Sequence, residues 1–325
     1  MKDKIKKIFP VSILVALFLE YTKDYGRYIK YSGVFAFISD SEEKVLGNII
    51  ADYHVVEKGL TMPETRLGFG EKKIMKLINH CNHYLKNYNK QNKQFRQAIA
   101  ILVEYKEFHK KQDYDLNENL LESINKLEQS VLVECSKQVK TSASDYFKDS
   151  KSSFDLFCKS RRSVRNYANT EVDNNRILNA VELATKSPSS CNRQATRVHV
   201  FENKDEIKQI LEIQGGNRGF GHLANKLLIV TADLAYCHGV YERNMAYVDG
   251  GIFAMNLLNG LHFNKILACP LNCYFSRWKD NKLRKICKIK KSEVFVVMIS
   301  CGNPIEKFDV ALSYRSPVEE IVSFK

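Results

Sequence analysis

The feature that most constrains this chain is a change of texture close to residue 150. Before it, apolar residues recur at helical spacing: Ile74, Leu77, Ile78 and Cys81 form one stripe, and Ala98, Ile99, Leu102 and Val103 another. Alternation of the kind a half-buried strand needs is scarce there. Between the two textures lies 136–153, polar and rich in serine and lysine, the composition of a connector. At 325 residues the chain has length for two cores. It therefore divides into an all-α N-terminal domain over 1–150 and a second domain over 151–325.

The second part reads differently. A helix is predicted over 177–184, and the β-branched runs 198–201, 227–230 and 294–299 read as buried strands. Residues 247–262 form a long helix candidate, with Ile252, Met255, Leu258 and Leu261 at helical spacing and Gly250-Gly251 permitting close backbone approach. Helices and strands alternate irregularly.

Composition then removes whole classes of function. Hydrophobic residues at 44% and charged residues at 27% are ordinary globular values. The net charge of +13, most of it after residue 150, suits an anionic partner. The surplus lysines lie among asparagines, and no nucleic-acid-binding signature occurs, so nucleic acid is not the expected partner. Nine cysteines include no CxxC pair: the closest, Cys269 and Cys273, have three residues between them, and with no histidine pair at ligand spacing beside them no metal is expected. Free thiols in a chain of this size suit a reducing cytoplasm. The apolar run 11–19, preceded by Lys4, Lys6 and Lys7, is too short to span a bilayer and reads as a core helix, with a surface-lying anchor as the alternative. His54 and Glu57 stand one helical turn apart and read as a hydrogen-bonded structural pair, with a catalytic couple as the alternative.

Two stretches could carry chemistry. Arg161-Arg162-Ser163-Val164-Arg165 places three guanidiniums and a hydroxyl within five residues, and the planar fork of arginine suits bidentate contact with a phosphate. Alone, the same residues also read as a solvated basic turn. Ser187 to Gln194 puts hydroxyls, amides and backbone donors in one short loop, which any loop also uses. Ser189 and Ser190 lack the elbow motif and the acid and histidine partners of a hydrolytic nucleophile.

The order of the arginine cluster, the Ser-Pro-Ser-Ser-Cys-Asn-Arg-Gln loop, a strand, the helix with Asp249-Gly250-Gly251, Cys301-Gly302-Asn303-Pro304 and the late Arg315 resembles the nitroreductase family of flavoproteins over 154–325. The N-terminal part also resembles the helical extension of a subgroup associated with bacterial surface-polysaccharide genes. The resemblance implies an α+β fold with a mostly antiparallel sheet surrounded by helices, a homodimer, and FMN bound non-covalently at the dimer interface. It implies that Arg161 and Ser163 hold the FMN phosphate and ribityl chain, with Arg162 in the same cofactor-binding loop and Arg315 as a late phosphate ligand. Arg165 matches the cation beside the flavin pyrimidine, where it would offset the charge the ring gains on reduction. Pro188, Ser189, Ser190, Asn192 and Gln194 match the loop that reaches the flavin from the other subunit. Asn217 matches an amide donor to the pyrimidine edge, and Pro270, Leu271 and Asn272 match the backbone beside N5.

The implied activity is an FMN-dependent oxidoreductase in which a hydride from NADH or NADPH passes through flavin N5 to a small-molecule acceptor by a ping-pong route. No side chain acts as a nucleophile. Two alternatives remain open: a flavin-dependent tailoring enzyme of surface-polysaccharide biosynthesis, and a flavin-lost binding protein. The sequence departs from its relatives at Asn264-Lys265-Ile266, where they commonly read Leu-Gly-Leu, and at Asn259 in a helix that is usually apolar.

Overall fold

The computed structural model describes residues 11–31, 41–132, 138–237 and 240–325. The first five helices are α1 (Val11–Tyr31), α2 (Glu42–Leu60), α3 (Glu71–Asn87), α4 (Lys93–Lys111) and α5 (Glu118–Ser130). Side chains of Ser41, Asn92 and Asn117 accept backbone N–H groups at the starts of α2, α4 and α5, satisfying donors a helix cannot satisfy internally. The two stripes read from the sequence meet in one core: Ile74, Leu77, Ile78 and Cys81 of α3 pack with Ala98, Ile99 and Leu102 of α4, together with Tyr53 and Val56 of α2. An all-α N-terminal region thus precedes the sheet.

The run 11–19 is helical but does not lie in a core. Phe18 is 67% and Leu14 49% exposed, and α1 is held instead by Glu20 and Asp24, which pair with Arg243. Its apolar residues surround the helix, so one docked face leaves most of them outside. The lysines at 4, 6 and 7 lie outside the described residues. No helix among the described residues is long and apolar enough to cross a membrane.

Within the polar stretch, the described residues 138–153 are more regular than their composition suggests. They form β1 (Val139–Ser142) and the short α6 (Ala143–Phe147), and β1 pairs antiparallel with β6 (Lys307–Val310), far along the chain. Polarity hid the strand because only one partner covers it.

Beyond this, α7 (Phe154–Ser160), α8 (Asn174–Ala184), β2 (Thr196–Phe201), α9 (Lys204–Gln214), β3 (Lys226–Asp233), α10 (Met245–Phe263), β4 (Leu267–Asn272), α11 (Arg277–Cys287) and β5 (Glu293–Gly302) complete the chain. The main sheet has the order β2-β3-β5-β4, antiparallel throughout, and with the helices packed on it gives an α+β architecture. Every residue of β3 is buried because both faces are covered. Leu227 and Ile229 enter one core with α9, while Leu228 and Val230 enter the other with α8 and α10, as two-residue strand periodicity requires. Pro270 is accommodated because β4 is an edge strand.

Close packing of α10 rests on its glycines. A Cβ on Gly250 would meet Val296 at 2.6 Å and one on Gly260 would meet the carbonyl of Ala180 at 2.6 Å, whereas Gly251 faces open space.

Candidate anion pocket and active site

After α7 the chain turns extended at Arg161 and runs beside the sheet. Val164 donates its N–H to the Ala268 carbonyl at 3.1 Å, and Ala168 to that of Asn303 at 2.9 Å. Val164 and Tyr167 are buried anchors. The Tyr167 hydroxyl is 2.8 Å from the Val164 carbonyl oxygen and 3.1 Å from Ser300 Oγ, and burial pushes its pKa well up. Asn303 fastens the same segment, its amide donating to the Glu171 carbonyl and its Oδ1 accepting from Arg176. This is what the Cys301-Gly302-Asn303-Pro304 stretch does locally.

So pinned, the segment presents Arg161, Arg162 and Ser163 to a cavity of about 450 Å³ that is also lined by Leu312, Ser313, Tyr314 and Arg315. Arg162 turns to the wall, donating from Nη1 to the Leu312 carbonyl at 2.8 Å. Tyr146 grips the loop from behind: its hydroxyl donates to the Arg162 carbonyl at 2.6 Å and accepts the Arg162 N–H at 3.1 Å. Burial pushes the Tyr146 hydroxyl up to about 12.

Arg161 is largely withdrawn from water, which pulls its guanidinium below the usual arginine range, and Arg315 adds to that pull. Arg165 is buried beneath, its guanidinium carbon 6.0 Å from the Phe220 ring centre and close to the Cys269 thiol. Lys58 of α2 approaches it; burial first and Arg165 second lower the lysine's pKa. Among the described residues no carboxylate forms a salt bridge with Arg161, Arg162, Arg165 or Arg315. Cations gathered without counter-charge repel one another until an anion joins them, and a phosphate fits this donor set.

A second, smaller cavity of about 240 Å³ is lined by Pro188, Ser189, Gln194, Arg197, Asp249 and Phe253, among others. Its loop is held hard. Ser190 donates N–H and hydroxyl to the two oxygens of buried Asp249 at 2.9 and 3.0 Å, and Arg193 grips Glu242 through two nitrogens. Cys191, Asn192 and Gln194 all adopt positive φ, an unusual density of left-handed residues that costs conformational energy. The two cavities share no lining residue within one chain.

Asn217 and Asn272 gather with Gln214 at the end of α9. The Asn217 amide donates to the Leu211 carbonyl at 2.6 Å and to Gln214 Oε1 at 3.0 Å, so both its N–H groups are engaged within the fold. Gln214 in turn donates to the Asn272 carbonyl at 3.1 Å. Leu271 is buried, while Pro270 is half-buried on the edge strand. Among the described residues no cluster of histidine, cysteine and carboxylate side chains could hold a metal.

The sequence reading missed Tyr146, Glu57 and Lys58 as parts of this region. Tyr146 carried no signal, lying in a stretch read as connector.

Residues 158–218 match the model of the Nitroreductase family. That span contains the arginine cluster, the serine-rich loop and Asn217. Among solved structures, an FMN-dependent nitroreductase from Clostridium difficile R20291 is similar at 20% identity, covering 52% of this chain and 96% of its own, with a TM-score of 0.44. A protein described as an NAD(P)H:FMN oxidoreductase from Staphylococcus epidermidis ATCC 12228 is 18% identical, covering 54% and 96%, with a TM-score of 0.48. A nitroreductase family protein from Clostridium novyi NT is 18% identical, covering 47% and 85%, at 0.41. No curated protein gives a significant match.

Proposed function

We propose that the chain is an FMN-dependent oxidoreductase that takes reducing equivalents from NADH or NADPH and delivers them to a small-molecule acceptor. The observation that carries this is the pocket in which Arg161, Ser163 and Arg315 meet without a carboxylate. Bound FMN would supply reversible hydride acceptance. The chain's own residues then have separable tasks. Arg161, Ser163 and Arg315 hold the phosphate, and Arg162 and Tyr146 keep the loop in shape. Buried Arg165 supplies positive potential towards the ring, where it counts for more than it would in water.

The proposal includes a homodimer. Tyr247, Val248, Ile252 and Met255 leave an apolar stripe exposed on α10, with Phe154 and Leu178 exposed on α7 and α8. A second copy seated on these residues would cover them and bring the Ser189–Gln194 loop of one protomer to the arginine pocket of the other. The separation of the two cavities within one chain supports that arrangement.

Purified protein is expected to be yellow and to oxidise NADH or NADPH when given a quinone or nitroaromatic acceptor. Colourless protein that takes up no added FMN contradicts the proposal.

A further inference from the structure

The late arginine of the pocket sits on a tail that residues from the helical N-terminal region hold in place. The Leu312 N–H donates to Gln138 Oε1 at 2.9 Å, and Gln138 is itself fixed by the carboxylate of Glu104 on α4 at 2.8 and 3.0 Å. The Ser313 N–H donates to Glu57 Oε1 of α2 at 2.6 Å. Ser316 Oγ accepts from Gln94 of α4 at 3.2 Å, and Gln94 is oriented by the Tyr53 hydroxyl at 2.5 Å. Three clamps thus flank Arg315 on both sides.

The central clamp is the informative one. Ser313 has φ +49, a left-handed conformation that a side-chain-bearing residue adopts at a cost of about 1 kcal/mol or more. Glu57 is wholly buried, with one oxygen on Ser313 and the other on His54 Nδ1 at 2.9 Å. A charge-assisted bond to a backbone N–H is among the stronger contacts a tail can receive, and it is made at the strained residue. The strain and the bond together turn the chain so that Tyr314 and Arg315 face the cavity opposite Arg161.

We infer that Glu57 is a positioning residue of the anion pocket: its carboxylate fixes Ser313 in the left-handed turn that sets Arg315 against the ligand. The inference rests on the reading of that pocket as the FMN phosphate site. It gives His54 and Glu57 one task, with His54 orienting the carboxylate, and makes the helical region part of the cofactor site.

The test is a double-mutant cycle on the full chain, read as the FMN dissociation constant by quenching of flavin fluorescence, with thermal midpoints taken alongside. Glu57→Ala is expected to weaken FMN by on the order of tenfold, while Glu57→Gln, which keeps an oxygen acceptor, stays within about threefold of wild type. Because Glu57 acts through Arg315, adding Glu57→Ala to Arg315→Ala should cost less than about twofold more. Should Glu57→Ala fail to fold, Gln94→Ala replaces it, with a smaller loss that also vanishes in the Arg315→Ala background. Wild-type affinity in the replaced clamp, or a loss that adds in full to that of Arg315→Ala, overturns the inference while leaving the FMN reading intact. Wild-type protein that binds no FMN overturns both.

Discussion

His262 shows how one residue can connect the pocket to pH. Its Nε2 lies 2.8 Å from Ser160 Oγ, its buried Nδ1 has no hydrogen-bond partner among the described residues, and the rings of Tyr146, Phe147 and Phe157 surround it. Burial first, and the Arg161 guanidinium second, push its pKa from 6.5 down to about 4. Between those values the unfolded chain binds a proton that the folded one refuses, so stability contributed by the neutral ring is present above pH 6.5 and is lost as pH falls towards 4. Denaturant unfolding should show His262→Gln losing less stability than wild type across that interval; parallel losses would mean the ring is not held neutral. At this scale the sequence was partly legible. Three arginines and a serine in five residues suit a phosphate but read equally as a solvated basic turn until the fold lines them up on a cavity. Tyr146 and Glu57 do not, because their partners at Arg162 and Ser313 lie 16 and 256 residues away and only tertiary pairing brings them together.

Among the elements, the connection from α10 to β4 carries a local conflict. Lys265 stands at φ +56, in the region where glycine is favoured. Its side chain is exposed and only its backbone is engaged, the carbonyl accepting from Arg176 at 2.7 Å. Lys265→Gly should therefore stabilise the protein by roughly 0.5–1 kcal/mol, raising the thermal midpoint by about 2 °C. A midpoint that falls would show that the lysine side chain contributes something its exposure hides. The elements themselves followed the sequence where burial was two-sided: the run 227–230 lies in β3, whose every residue is buried. They departed from it where cover was partial, in polar β1 and in exposed α1. An apolar run reports that some face can be buried, and the partner decides whether it is.

At the scale of the whole molecule, the helical region and the tail after β6 converge on one feature. β1 pairs with β6, and α2 and α4 grip the tail beyond β6, so the helical region and the sheet region meet at the wall of the arginine pocket. The central claim is that this pocket binds the phosphate of FMN, and it is tested most directly by comparing FMN with riboflavin, which lacks only that phosphate. Wild-type protein should prefer FMN by on the order of a hundredfold, the worth of two charge-assisted contacts. In Arg161→Ala the preference should shrink by about tenfold while riboflavin affinity changes little. Equal affinity of the wild-type protein for FMN and riboflavin would contradict the account.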